Sequence, residues 1–258
     1  MPLRRQPVAK TVKKRSRRAQ ALDERLPEKY RVTETFFFNK ATNSFRVGRQ
    51  ICRGVTKHIA RRFFPFGEQT IEKIIAAAPG GSGGGGLEHG KRIHKEIETF
   101  LATSPRPALD TLSKEASDVI RLLRANGLEP VAAEVPAFWE DRGYATPVDI
   151  VCERSSDGGI VLIELKTGFT YSWNSSLQTL KAPFQAQVMS PCNAAHLQLA
   201  ATWVLWQKCR SVETHPVCAA YVCLVNKSNA KLFPLESWAR EGMRAIEETM
   251  QHRKSKRS

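Results

Sequence analysis

The stretch from Gly143 to Lys166, GYATPVDIVCERSSDGGIVLIELK, decides the fold because it predicts two strands joined by a tight connection. The first predicted strand runs from Tyr144 to Glu153 and the second from Ile160 to Lys166. Between them lies SSDGG, residues 155–159, which is typical of a turn. The stretch therefore predicts a hairpin inside a β-sheet.

The second strand carries a charged pair in an otherwise apolar run. Successive side chains of a strand point to opposite faces, so Glu164 and Lys166 share one face. The other face is apolar and consists of Val161, Ile163 and Leu165. Asp149, on the first strand, adds a second carboxylate, and two carboxylates near one point suit a hard divalent cation such as magnesium. A neighbouring lysine can hold or polarise a water without binding the metal.

These residues resemble the bipartite motif of the PD-(D/E)xK nuclease superfamily. In that motif an Asp is followed, about one hairpin later, by Glu-x-Lys, which here is Asp149 with Glu164, Leu165 and Lys166. The resemblance covers residues 87 to 235. It implies an α/β fold with a restriction-endonuclease-like core of order αβββαβ, in which helices flank a mixed central sheet. It also implies metal-dependent hydrolysis of DNA.

Three further residues are similar to the RecB-type, lambda-exonuclease-like branch, which includes mitochondrial single-strand exonucleases. His94 follows Gly90 by four residues near the start of a predicted helix, where the branch has a His that contacts the metal or the scissile phosphate. Glu134, on a strand predicted from Val131 to Trp139, is a candidate metal ligand or a surface carboxylate on an edge strand. Gln198, in HLQLAATW, resembles the Gln of a QLxxY motif, although Thr202 stands where Tyr is expected.

The resemblance implies one or two Mg²⁺ or Mn²⁺ ions, with ligands drawn from Asp149, Glu164, the Leu165 carbonyl, His94 and Glu134. Lys166 would position the attacking water, and Gln198 would orient that water or a phosphate. The expected activity is that of a DNA nuclease, most simply an exonuclease in replication, recombination or repair. The alternative is a catalytically silent nuclease fold that only binds nucleic acid.

The net charge of +15 is concentrated at the ends of the chain. Residues 1–22 hold eight Arg and Lys and no acid, and residues 251–258 hold four more. Without these tails, 28 basic residues face 25 acidic ones. Basic tails of this kind attract polyanions, which favours DNA, single- or double-stranded, as partner; a solubilising or targeting arm is the alternative.

A small basic region is predicted at residues 28–78, after a disordered basic tail at 1–27. Phe36 to Phe38 predict a short buried strand, and a helix is predicted from about Ser44 to Phe64. On that helix four basic residues recur at every fourth position, and no acid lies between Glu34 and Glu68. The basic side chains therefore predict a nucleic-acid-binding ridge made of Arg49, Arg53, Lys57 and Arg61.

The glycine-rich stretch PGGSGGGG predicts a linker at residues 79–86, which separates this region from a nuclease domain at 87–250. A basic tail follows at 251–258. Within the domain, helices are predicted from Gly90, from Asp110 to Asn126, from Ser190 and from Leu235 to Met250, and a strand from Val217 to Val225. The aromatic residues of the loop from Thr167 to Met189 either stack on unpaired bases or pack on the body: Phe169, Tyr171, Trp173 and Phe184.

Cysteine spacing and hydropathy narrow the class of protein further. Six cysteines without a CxxC pair favour reduced thiols in an intracellular protein. Cys209, Cys218 and Cys223 are spaced too irregularly for the iron–sulfur cluster found in some relatives, so no cluster is expected. No apolar run is long enough to span a bilayer.

The KKRSRR cluster at residues 13–18 favours nuclear import in a eukaryotic or viral setting, with a mitochondrial presequence as the alternative. The oligomeric state is not predicted.

Overall fold

The structure, a computed structural model, describes residues 28–30, 36–39, 44–65, 85–168, 178–210 and 216–252. Several predictions lie outside these residues: the basic tail at 1–27, residues 253–258 of the C-terminal tail, most of the glycine-rich linker, and the loop aromatics Phe169, Tyr171 and Trp173.

Among the described residues the fold is built on an eight-stranded sheet, and the expected mixed central sheet flanked by helices is present. The strands are β1 (Phe36–Asn39), β2 (Ser44–Val47), β3 (Gln50–Gly54), β4 (Leu128–Trp139), β5 (Tyr144–Arg154), β6 (Ile160–Thr167), β7 (Val217–Val225) and β8 (Ala230–Pro234). The strand order is β1-β2-β3-β5-β6-β7-β8, and β4 pairs with β5. The β3–β5 and β6–β7 pairs are parallel, and the others are antiparallel.

The helices are α1 (Val55–His58), α2 (Gly85–Ala102), α3 (Lys114–Ala125), α4 (Pro191–Cys209), α5 (Ser237–Glu241) and α6 (Met243–Gln251). A 3₁₀ turn, Ala60–Phe63, follows α1. From α3 onward the order is α3-β4-β5-β6-α4-β7, so one helix precedes three strands, and a helix and a strand follow.

Each face of the sheet is covered by its own helices. On one face α2 and α3 pack against the apolar side of β6, and Val161, Ile163 and Leu165 are all buried there, as predicted. On the other face α4 packs with α6 and buries the side chains predicted to point inward: Leu197, Ala201, Val204 and Leu205. The face of β6 that carries Glu164 and Lys166 therefore points toward α4.

The start of α4 follows directly from local sequence. Ser190 caps the helix, because its Oγ accepts a hydrogen bond from the backbone N–H of Asn193 at 3.2 Å. Pro191 occupies the first helical position, where its missing N–H costs nothing. The helix start predicted at Ser190 is confirmed.

The helix predicted from Ser44 to Phe64 is wrong. This segment forms the β2–β3 hairpin, which turns at Gly48 with a φ of +55°, followed by α1 and the 3₁₀ turn. Alternation explains the strands, because Phe45, Val47 and Cys52 are buried on one face. Arg49 lies in the turn, Arg53 in β3, Lys57 in α1 and Arg61 in the 3₁₀ turn, so these residues do not form a helical ridge.

The described part of the N-terminal region shares its core with the rest of the chain. Tyr30, Val55, Ile59 and Phe63 are buried in the same cluster as α4. The Tyr30 hydroxyl donates a 2.7 Å hydrogen bond to Glu153 on β5. Arg210, after α4, donates to the backbone carbonyl of Tyr30 at 3.1 Å and of Pro136 at 2.7 Å.

Smaller differences concern the ends of elements. The strand predicted at Phe36 to Phe38 is present, although Phe38 is exposed. Gly85 and Gly86, assigned to the linker, belong to α2. The single helix predicted from Leu235 to Met250 is interrupted at Gly242, where a Cβ would collide with the ring of Phe184, and β8 was not predicted. No helix among the described residues is long and apolar enough to cross a membrane.

Candidate active site

The candidate site begins where β5 and β6 separate. Their ladder ends at the pair Ile150–Ile163, and beyond it β6 continues alongside β7. The backbone N–H of Leu165 no longer meets a β5 carbonyl and instead donates to Oδ2 of Asp149 at 2.7 Å. This hydrogen bond fixes the Asp149 carboxylate beside Glu164.

The charged face of β6 meets α4. Nζ of Lys166 lies 2.5 Å from Oε1 of Glu164 and donates to Oε1 of Gln198 at 3.1 Å. Glu164 is only 2% exposed, so this ion pair is largely shielded from water. The structure therefore brings the predicted residues Glu164, Lys166 and Gln198 together. At the position where Tyr is expected, the Thr202 hydroxyl donates to the backbone carbonyl of Gln198 at 2.9 Å.

His94 reaches the site from α2, on the other side of Asp149. Its Nδ1 lies 3.7 Å from Oδ1 of Asp149 and 3.6 Å from Oε1 of Glu134. Gly90, one turn earlier, permits this approach, because a Cβ there would lie 2.5 Å from Oγ1 of Thr167. The Gly-xxx-His spacing thus has a steric basis: the glycine lets α2 pack against the end of β6.

Glu134 is held by an irregularity in β4. It is the single non-glycine residue with positive φ in the described chain, at +54°. The ladder pairs Ala133 with Ile150 and Val135 with Val148, so Glu134 and Asp149 lie opposite each other. Ala133 and Ile150 are buried toward α2 and α3, whereas Val135 and Val148 are buried toward α4. In both strands the regular alternation of side chains between the two faces of the sheet is therefore interrupted at the step that holds the two acids.

β4 has a single partner strand, β5, in the described chain, as expected for an edge strand. Glu134 nevertheless faces His94 and Asp149, so its carboxylate belongs to the site.

The electrostatics of the site reflect crowding of acids in a buried place. Burial and the neighbouring Asp149 raise the pKa of Glu164 to about 7. Burial also raises the pKa of Asp149. Burial alone would lower the pKa of His94, but Asp149 and Glu134 raise it to about 9. Burial likewise opposes the charge of Lys166, yet Glu164 and Asp149 raise its pKa, so Lys166 is protonated at neutral pH.

The donor set fits a divalent cation. One ligand atom from each of His94, Glu134 and Asp149 lies within 4.8 Å of the others, and two of the three are carboxylate oxygens. Oxygen-rich sets with one imidazole suit magnesium or manganese. Glu164 is not part of this three-residue group, and its carboxylate forms an ion pair with Lys166. Participation of Glu164 and of the Leu165 carbonyl as ligands stays a prediction.

Other predicted residues lie apart from this cluster or outside the described residues. Phe184 is buried and contacts the rings of Phe63 and Trp238 edge-on, so it packs on the body rather than presenting a surface for bases.

The hydrogen bond that the Leu165 N–H donates to Asp149 is not predicted from the sequence, which suggested only the carbonyl of Leu165 as a site group. No sequence signal marks it, because it depends on where β5 and β6 separate.

The fold and site together define a mixed α/β protein with a buried acidic cluster at the point where two central strands separate. No known protein-family profile matches the chain, and no curated protein sequence matches it. The site is therefore interpreted from its own geometry.

Proposed function

We propose that this protein is a metal-dependent deoxyribonuclease of the PD-(D/E)xK type, acting as an exonuclease. The supporting observation is that three acids, a histidine, a lysine and a glutamine form one connected cluster: Glu134, Asp149, Glu164, His94, Lys166 and Gln198. The order of elements from α3 to β7 is the order expected for such a core.

His94, Glu134 and Asp149 would hold the cation, with Glu164 as a further ligand. When bound, a divalent ion supplies concentrated positive charge that stabilises negative charge on the phosphate and makes a nearby water a better nucleophile. His94 must lose its proton before a ring nitrogen can bind the ion. Binding should therefore release protons at neutral pH.

Lys166 acts as a hydrogen-bond donor and a cation. Because the neighbouring carboxylates raise its pKa, Lys166 is not suited to remove a proton from water. Its ammonium group instead orients the attacking water or a phosphate oxygen, and Gln198 fixes the position of that group. Attack of water at phosphorus breaks one P–O bond and leaves a phosphate and a hydroxyl end.

The test is a cleavage assay on linear and circular DNA, both single- and double-stranded, with Mg²⁺ or Mn²⁺ or with chelator. We expect metal-dependent cleavage of linear substrates, because an exonuclease requires an end. Lys166→Ala should lower the rate by about a hundredfold or more, as loss of a donor to a reacting group does.

The matched control is Lys114→Ala. Lys114 is exposed on α3 and forms a 2.6 Å ion pair with Asp118, outside the acidic cluster. This variant should cleave like the wild type. Binding of DNA without cleavage by the wild-type protein would refute the enzyme and favour the silent-fold alternative.

A further inference from the structure

One face of the β1–β3 meander combines exposed arginines with an exposed apolar side chain. The register pairs Phe37 with Arg46 and Arg46 with Ile51, and Arg53 follows Ile51 by two residues. Directly paired residues, and residues two apart on a strand, project from the same face of a sheet. Phe37, Arg46, Ile51 and Arg53 therefore form one surface, which we call the basic β face.

This surface faces solvent. Arg46 and Arg53 are exposed, and Ile51 is 73% exposed. Neither arginine has an acidic partner among the described residues, although solvated faces usually mix both signs. The opposite side of the same strands is the buried one. Two exposed guanidinium groups beside an exposed aliphatic side chain suit a ligand that is both anionic and apolar.

The basic β face lies across a gap from the acidic cluster. Gly54 of β3 pairs with Ala145 of β5, and the next pair on this edge of β5 is Ile150 with Ile163 of β6. β4 occupies the other edge at both places. Residues 146–149 therefore have no partner strand on this edge in the described chain, which leaves a gap of about 13 Å at 3.3 Å per residue.

The two sides of the gap also share a face of the sheet. Arg53 pairs with Tyr144, whose side chain is buried in the core beneath α4. Gln198 of α4 meets Lys166 at the other side of the gap. On this face the side chains between the two sites, Tyr144, Thr146 and Val148, are 1%, 5% and 1% exposed, so the protein interior separates the basic β face from Lys166.

We propose that the basic β face binds single-stranded DNA on the surface of the protein, apart from the acidic cluster. The proposal rests on the nuclease function proposed above. Arginine pairs with phosphate through two parallel hydrogen bonds, and Ile51 can contact the apolar face of an unpaired base. A duplex turns phosphates and sugars outward and would leave Ile51 without an apolar contact.

The first test measures binding without cleavage. Fluorescence anisotropy with a labelled 20-nucleotide strand in chelator should show at least tenfold weaker binding for the Arg46→Ala/Arg53→Ala double variant. The slope of log affinity against log salt should fall by about 1.4, since two phosphate contacts are lost. The control is Arg121→Ala/Arg244→Ala, which removes two exposed arginines from α3 and α6 and should bind like the wild type.

Ile51 provides a second test that changes no charge. Ile51→Ser should weaken binding of single strands several-fold and leave binding of duplex unchanged. Ile51→Trp should tighten binding of single strands, because a base can stack on the indole. All these side chains are exposed, so thermal unfolding should not change. Equal effects of the Ile51 variants on single strands and duplex would overturn the assignment to single-stranded DNA.

The proposed binding surface and the proposed nuclease activity can be refuted independently of each other. If both hold, the double arginine variant cleaves long single strands more slowly than the wild type at substrate concentrations below saturation. If the wild type cleaves nothing but the double variant still loses affinity, the nuclease fails and the surface stands. If the double variant binds single strands like the wild type, the surface is refuted whatever the cleavage assay shows.

Discussion

Asp149 and Leu165 are joined by a 2.7 Å hydrogen bond in which a backbone N–H of β6 donates to a carboxylate of β5. The bond replaces a ladder contact at the point where the two strands separate. Asp149 therefore has two roles that substitution can divide: its oxygen accepts a hydrogen bond, and its charge attracts a cation. The two roles predict different phenotypes for two variants.

Asp149→Asn keeps an oxygen that can accept from Leu165, whereas Asp149→Ala removes it. We expect Asp149→Asn to unfold at a denaturant concentration close to the wild-type value. Asp149→Ala should lose about 1–3 kcal/mol of unfolding free energy, because a buried N–H is left unpaired. We expect Mn²⁺ to raise the melting temperature of the wild type and to leave that of both variants unchanged. Equal stability of the two variants would contradict the structural role of the bond.

Glu134 offers a test of backbone strain at the site. Its φ of +54° costs a non-glycine residue about 1 kcal/mol or more, a cost that glycine avoids. Glu134→Gly should therefore be more stable than Glu134→Ala by about 1 kcal/mol in chemical unfolding, although both lack the carboxylate. At Ala133, in the same strand, glycine should instead destabilise. If glycine is the less stable substitution at both positions, the irregularity is not strained.

The close approach of Gly90 to Thr167 predicts a compensating pair. A methyl group on residue 90 would lie 2.5 Å from Oγ1 of Thr167, so Gly90→Ala should destabilise by about 1–3 kcal/mol and displace His94. Adding Thr167→Ala removes the clashing oxygen and should restore most of the stability. A double-mutant cycle measures the coupling. Additive effects would show that α2 does not depend on this contact.

His196 predicts how stability depends on pH. It is fully buried on α4, neither ring nitrogen has a hydrogen-bond partner among the described residues, and burial lowers its pKa to about 4. The unfolded chain has a His pKa near 6.5, so between pH 6.5 and 4 the proton binds the unfolded state preferentially. This histidine therefore makes unfolding free energy fall by up to about 1.4 kcal/mol per pH unit as the pH drops through that range.

His196→Leu should remove that dependence. The unfolding free energy of wild type and variant is measured at pH 7.5 and at pH 5. At each pH the value of one protein is subtracted from that of the other, so that the contributions of other titrating groups cancel. The difference should shift in favour of the variant at pH 5. A difference that is independent of pH would mean that His196 does not resist protonation in the folded state.

The sequence predicted β5, β6, β7 and α4 well because their signals are local. Alternation in β6 assigns Glu164 and Lys166 to one face, and Ser190 with Pro191 marks the start of α4. The helix predicted at Ser44 failed for a geometric reason. Residues four apart share a face of a helix, but four is an even number, so they also share a face of a strand. The four-residue spacing of Arg49 and Arg53 therefore fits a helix and a strand equally well.

The site was predicted as a set of residues, but its arrangement depends on long-range pairing. Gln198 meets Lys166 because α4 crosses the sheet over β6, and Glu134 meets His94 because two strands change faces at the same step. No periodic pattern in the sequence predicts either contact.

The attachment of the N-terminal segment limits where the chain can be cut. Arg210 is partly buried, stacks on Trp206 and donates to the carbonyl of Tyr30, while the Tyr30 hydroxyl donates to Glu153. A fragment beginning at the glycine-rich stretch would lose these partners, uncover the apolar surface that Val55 and Ile59 fill, and leave part of one edge of β5 open to another chain. Such a fragment should aggregate, although it would retain every residue of the acidic cluster.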